Sequence, residues 1–346
     1  MRLLPFPAPA QRAPNALRYE GRPGHVESWF WRANDPDRPR ALWLKVTILA
    51  PLSGPALAES WFVWFDGEKR RLLGHRTTVP FSEASFGAGA EPRLLAAGFD
   101  IETSPIGRAR GALRASFGEA AFDLSVAPER SPIAEPLALL RGKALREGPF
   151  PRSKLLTPLP AARLSGSVTL PDGPVAIDGW PGMQGHNWGR EHAFEYAWGQ
   201  CLFPRAGGAP EAMLEGFTGR VCVAGRRTPW MSALVVRRGE EELRFDRLLD
   251  FWRQRSEVGG ERWTLALRGP DGEARLRMEA AGRPTACLGY RNPDGRLSYC
   301  FNSKLAEVRL QLQPRRGGAF ELYSEHGGAL ELLRREPGPA AGIEPI

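Results

Sequence analysis

Six glycine-containing turn signals, each set between runs of alternating or β-branched residues, constrain this chain more than any other feature. The signals are the Asp-Gly pairs at 66–67, 172–173, 271–272 and 294–295 and the Gly-Glu pairs at 118–119 and 239–240. Asp-Gly readily takes the left-handed backbone of a tight hairpin, so each signal marks two antiparallel strands joined within a few residues. The flanking segments agree. Ala41–Leu49 is β-branched and apolar, and Arg262–Arg268 and Glu273–Met278 alternate. Ser60–Phe65 carries aromatic residues on both parities and should be covered on both faces. Glycine (39 residues) and proline (32) make about a fifth of the 346, which excludes long helices and coiled coils. Only Ile133–Arg146 and Phe245–Gln254 read as helical windows. The expected fold class is all-β, with many short strands in a sandwich or barrel.

A second feature divides the chain. Residues 148–160 hold four prolines and little periodicity. A boundary there gives two β-barrel-like halves, 15–155 and 156–346, each of domain size, with the site in a cleft between or inside them. A hydrophobic content of 42% with 11 Trp is ample for a core and excludes a mostly disordered chain.

Net charge is +8, but 42 of the 47 basic residues are arginine, spread along the whole chain. With no basic stripe, coding bias explains the skew as well as selection does, and nucleic acid is not an expected partner. Cys201, Cys222, Cys287 and Cys300 form no Cys-x-x-Cys pair and read as reduced and buried. The opening MRLLPFPAPAQRAP is basic and briefly apolar, but Pro5 and Pro7 interrupt it before it reaches the length of a signal segment. No run of about 20 apolar residues occurs to span a membrane. A soluble, cytoplasmic protein is expected.

Two segments could carry chemistry. If His25–Arg32 is a strand, His25, Glu27, Trp29 and Trp31 share one face and Val26, Ser28, Phe30 and Arg32 the other. A carboxyl between indoles is costly to ionise, which raises its pKa toward that of a general acid. The plainer reading is an edge strand with Glu27 facing solvent or pairing with an arginine. The second segment is Asp178–His192 and the run to Phe203. Gly182, Gly185 and Gly189 bracket its polar cluster, so His186, Asn187 and Trp188 are expected on an irregular loop. In the strand that follows, Tyr196, Trp198 and Gln200 share one face, while Ala197, Gly199 and Cys201 share the other. An aromatic wall with amide and hydroxyl tips suits a mainly apolar ligand with a few polar anchors. Downstream, Met213, Glu215 and Phe217 set another carboxylate on an apolar face. The plain alternative is structural: His and Asn on such a loop often bond only backbone, and Trp plugs a β-corner. His186, Glu191 and His192 do not match His-Glu-x-x-His, so no metal is expected. Gly-x-Ser-x-Gly, Gly-x-Gly-x-x-Gly after a strand and the phosphate-loop motif are missing from the sequence, which offers nothing for a nucleophilic triad or a nucleotide.

Asn187-Trp-Gly, six residues, then Tyr196-Ala-Trp-Gly-Gln-Cys-Leu-Phe203 resembles the motif of tocopherol cyclases. The preceding His186 is similar to the Asp-His-Asn-Trp-Gly of the carotenoid hydratase (hydroxyneurosporene synthase) family, and Glu27-Ser-Trp-Phe-Trp31 to the segment that opens such chains. The match covers about 20 residues. Gly185 stands where the hydratases carry an acid, and Tyr196 where the cyclases carry Trp.

The resemblance implies two lipocalin-like, calycin-type β-barrel domains. It further implies cofactor-independent acid–base chemistry on a lipophilic substrate, isoprenoid or prenylated aromatic, of cyclase or hydratase type. A carboxyl or imidazolium protonates an alkene, and water or an internal phenol captures the cation. On this reading Glu27 or Glu215 is the acid, and His186 orients the nucleophile or takes its proton. Trp29, Trp31, Trp188 and Trp198 line the cation, and Asn187, Tyr196 and Gln200 anchor a hydroxyl. A non-catalytic lipid or pigment carrier would use the same fold, and a carbohydrate-binding β-protein is a third class. The expected partner is a hydrophobic small molecule, and a lipophilic ligand with a positive charge permits peripheral membrane contact. The sequence leaves oligomeric state open.

Overall fold

The computed structural model describes residues 12–204, 209–223, 226–247 and 254–336. The opening segment through residue 11 and most of the helical window at Phe245–Gln254 lie outside them.

Eleven strands form the first antiparallel sheet: β1 (His25–Asn34), β2 (Arg40–Ala50), β3 (Leu57–Asp66), β4 (Arg71–Pro80), β5 (Ser85–Phe86), β6 (Arg93–Ala96), β7 (Phe99–Glu102), β8 (Gly107–Ala115), β9 (Gly118–Pro128), β10 (Ser153–Leu170) and β11 (Gly173–Gly189). Their order is β4-β3-β2-β1-β11-β10-β9-β8-β7-β6-β5. The second sheet is built from β12 (Glu195–Pro204), β13 (Pro210–Arg220), β16 (Met231–Arg238), β17 (Glu241–Phe245), β18 (Arg255–Gly259), β19 (Arg262–Gly269), β20 (Gly272–Glu279), β21 (Ala286–Arg291), β22 (Leu297–Pro314) and β23 (Phe320–Arg334). The short pair β14 (Cys222–Val223) and β15 (Arg226–Arg227) stands apart. The second sheet runs β17-β16-β13-β12-β23-β22-β20-β19-β18, with β21 on β22.

All six turn signals join paired strands: β3–β4, β8–β9, β10–β11, β16–β17, β19–β20 and β21–β22. The window Ile133–Arg146 holds only a 3-10 turn (Pro132–Ala134) and one short helix, α1 (Lys143–Glu147). Pro132 and Pro136 explain why: each removes a backbone donor, and Pro136 disfavours helix at the residue before it. The Pro-rich segment 148–160 leads into β10, whose register shifts around Leu159 absorb Pro158 and Pro160. Since β10 and β11 belong to the first sheet, the chain changes sheets between Gly189 and Glu195.

The first sheet curls on itself. Phe62 on β3 stacks against Phe122 on β9, although β2, β1, β11 and β10 lie between them in the sheet. Alternation sorts the side chains into three apolar layers. Trp29, Trp31, Phe62, Trp64 and Trp180 fill the first sheet, and Trp263, Met278 and Leu310 the second. Between the sheets lie Phe30, Trp43, Trp61, Met183, Trp198, Met213 and Tyr290. Cys201, Cys287 and Cys300 are free and buried, and the side chain of Cys222 lies outside what the structure describes. No helix among the described residues is long and apolar enough to cross a membrane.

Candidate active site

Register decides which of the expected residues meet. The segment around His186 is strand rather than loop: His186, Asn187 and Trp188 pair with Trp29, Ser28 and Glu27 of β1. The bracketing glycines have no left-handed φ. They serve close approach instead, since a Cβ at Gly182 would strike the Arg32 carbonyl, at Gly185 the Phe30 ring, and at Gly189 the Arg152 carbonyl.

Residues opposite one another across a ladder share a face. Glu27, Trp29, Trp31, His186 and Trp188 therefore project together into the first sheet's interior. His186 stacks on Trp29 with ring centroids 4.6 Å and planes 9° apart, and lies 4.9 Å from the Trp188 ring. Glu27 is fully buried. Its carboxylate accepts the backbone N–H groups of Arg18 (2.8 Å) and Tyr19 (2.7 Å), and lies 3.0 Å from Nε2 of His25 and 2.9 Å from Nε2 of His186. Burial pushes this carboxyl up, but the hydrogen bonds and charge of the two histidines outweigh it, and it lies below its ordinary value. Glu27 is thus an ionised acceptor, not the edge-strand solvent residue or arginine partner of the plainer reading.

The remaining residues face the layer between the sheets. Glu215 stands opposite Gln200 and is fully buried. Thr157 Oγ1 lies 2.8 and 2.7 Å from its two oxygens, and the Trp198 indole N–H donates to Oε1 at 3.0 Å. Burial pushes Glu215 up to about 6, against the pull of these hydrogen bonds. Gln200 links the sheets: its Oε1 accepts from Nε of Arg32 (3.0 Å) and its Nε2 donates to the Pro160 carbonyl (3.0 Å). Tyr196 donates to Glu331 at 3.4 Å. Asn187 is half-buried on this same side of β11.

Thus Glu27, His186, Trp29 and Trp188 form one group, and Glu215 with Trp198 another on a different face. Sequence reasoning did not find Arg32's link to Gln200, or Thr157, Lys45, Lys304, Tyr290 and Glu331. The one signal was composition: in a chain with five lysines, Lys45 sits within the apolar run Ala41–Leu49. Two shallow surface depressions, of about 370 and 570 Å³, are lined one by Glu257–Arg262 and the other by Trp230, Ser232 and Gln254, and include none of the expected site residues. Among the described residues no group of three His, Cys, Asp or Glu side chains is placed to hold a metal ion.

No family model matches the chain. Two curated relatives, the uncharacterized proteins MT0513 and Rv0493c from two strains of Mycobacterium tuberculosis, are each 25% identical over 323 residues, covering 93% of this chain and 91% of their own. Among solved structures, an AttH-like protein of Nitrosomonas europaea superposes with a TM-score of 0.55 at 13% identity, over 95% of this chain and 99% of that one. Kievitone hydratase of Nectria haematococca superposes with a TM-score of 0.54 at 13% identity, over 93% and 90%. These likenesses establish an all-β, lipocalin-like fold.

Proposed function

We propose that this chain is a cofactor-independent acid–base enzyme of hydratase or cyclase type acting on a lipophilic substrate, isoprenoid or prenylated aromatic. The observation that carries the reading is Glu215: a fully buried carboxyl, lifted to about 6, with the Trp198 indole on one of its oxygens. Such a group keeps its proton up to about pH 6 and can deliver it to an alkene, while indole faces stabilise the resulting cation. Glu27 is the weaker choice for the acid because its hydrogen bonds keep it ionised; it serves instead to hold His186. Likeness of fold to a hydratase supports the same class of reaction.

The test is incubation of the purified protein in deuterated water with a lipophile extract from source cells lacking the gene. One compound gaining non-exchangeable deuterium, with the gain lost in Glu215→Gln, is the expected result. Full turnover in both Glu215→Gln and Glu27→Gln would remove the acid from the scheme. One observation favours a carrier as the second reading: the carboxylates of Glu27 and Glu215 already have protein partners. A compound retained on the protein but chemically unchanged would decide for it.

A further inference from the structure

The layer between the sheets holds a cation that its surroundings leave incomplete. Lys45, on β2, is 3% exposed, and among the described residues no carboxylate lies within ion-pair distance of its ammonium, Glu331 and Glu59 acting on it only from further away. It is caged by rings instead: Nζ lies 3.8 Å from the centroid of Tyr290, 5.7 Å from Trp61 and 5.9 Å from Trp43. Cation–π contact offsets part of the desolvation cost of a buried ammonium but supplies no counter-charge.

The neighbouring charges are already committed. Lys304, whose ammonium shares the Trp43 ring at 5.6 Å, pairs with Glu331 at 2.6 Å, and Asn302 donates to the same Glu331 oxygen. Glu59 faces Arg76 at 3.8 Å and accepts from the Trp61 indole at 3.2 Å. Two carboxylates act on Lys45, but each has a nearer cation, Glu331 in Lys304 and Glu59 in Arg76, and neither contacts the Lys45 ammonium. The indole N–H of Trp43, one of the rings around Lys45, is buried and has no acceptor. An ammonium with no carboxylate in contact and a buried donor with no acceptor fit an anionic group.

We infer that Lys45 is a ligand-binding residue that takes the carboxylate of a lipophilic acid, with the Trp43 N–H as an auxiliary donor and Trp61 and Tyr290 flanking the head group. The inference rests on the proposed reading of a lipophilic substrate, takes it to be bound on the Glu215 side of the sheets, and names it as an acid. It does not rest on catalysis. His192, half-buried, stacks on the far partner of the cage, Tyr290, at 5.0 Å.

Dodecanoate and dodecan-1-ol are the probes, matched in chain and differing in charge. By calorimetry at neutral pH, wild type should bind dodecanoate about tenfold or more tightly than the alcohol, the worth of one charge-assisted hydrogen bond. Lys45→Met should abolish the preference, and Lys69→Met, at an exposed pair with Asp172, should keep it. A wild-type readout covers a variant that does not fold. With ¹³C-lysine there are five side-chain signals, and Lys69→Arg, Lys143→Arg and Lys154→Arg assign the three outside the layer. One of the two remaining signals should move with dodecanoate and not with the alcohol. Equal affinity for the two probes, a preference that survives Lys45→Met, or movement confined to the three outer lysines would each overturn the inference. Carboxylate preference without deuterium incorporation would sink only the catalytic reading, and incorporation without preference only this one.

Discussion

Nε2 of His186 lies 2.9 Å from Oε1 of Glu27, while Nδ1 of the same ring lies 2.6 Å from the Pro14 carbonyl. A carbonyl can only accept, so Nδ1 carries a hydrogen. His186 thus bridges the Pro14 carbonyl and the Glu27 carboxylate while stacked on Trp29. Glu27 also accepts two backbone N–H groups. A buried carboxylate held by several donors is costly to bury, and removing one member of such a group costs more than the contact contributes.

Glu27→Gln tests that pair. The folded carboxyl lies below its unfolded value of 4.5, so its contribution is present above pH 4.5 and lost as pH falls through the folded value. At pH 7 the variant should be less stable by about 3 kcal/mol, the cost of stranding a buried partner. It should also lack part of the wild type's acid-induced loss. Urea unfolding at pH 7 and at a series of pH values below 4.5 reads both; equal midpoints at pH 7 would show that the pair contributes nothing.

Glu215 should behave with the opposite sign. Its folded value of about 6 lies above the unfolded 4.5, so its contribution is complete below pH 4.5 and is lost as pH rises through 6. The loss amounts to about 2 kcal/mol, from one and a half units at about 1.4 kcal/mol each. Glu215→Gln should flatten the wild-type stability profile between those limits and leave it unchanged above them. If the carboxyl is the proton donor, kcat/KM of the wild type falls above pH 6. A difference profile without slope in that interval would show that burial does not hold the proton.

Which parts of this molecule could be read from sequence follows from how far the determining residues lie apart. Asp66-Gly67 and the five other turn signals mark hairpins within a few residues, and those hairpins form, whereas Asp178-Gly179 lies inside β11. Alternation sorted Trp198 and Gln200 from Ala197 and Cys201 because side-chain direction is a local property. The triplet Gly182, Gly185 and Gly189 was misread because glycine signals both turns and close approach. Only knowledge of Phe30 and of the Arg32 and Arg152 carbonyls across the sheet separates the two. Lys45, Lys304 and Glu331 come from strands β2, β22 and β23, so no sequence spacing links them.

Gly185 should not tolerate a methyl group. A Cβ there runs into the ring of Phe30, which is itself fixed edge-on against Trp198 at 5.8 Å. Gly185→Ala should destabilise by about 1–3 kcal/mol through overpacking. Phe30→Leu in the same background withdraws the ring and should recover part of the loss. Thermal melts of the single and double variants decide the matter: losses that merely add would place the strain elsewhere.

Arg32 and Gln200 offer the corresponding test of how the two sheets are joined. The guanidinium is buried, donates to Gln200 through both Nε and Nη2, and finds its other acceptors in Asn34 and the Gly327 carbonyl. Burial lowers it to about 10, a sign of how costly the charge is in this layer. Gln200→Leu removes its principal acceptor without relieving the charge, and should cost about 3 kcal/mol. Arg32→Met with Gln200→Leu replaces the charge and its acceptor by apolar groups of similar volume, and should regain most of that loss, because an apolar pair in an apolar layer needs no partner. Denaturant unfolding of the four proteins gives the coupling directly. A double variant as unstable as the sum of the singles would mean that Arg32 joins the sheets through Asn34 and Gly327 rather than through Gln200.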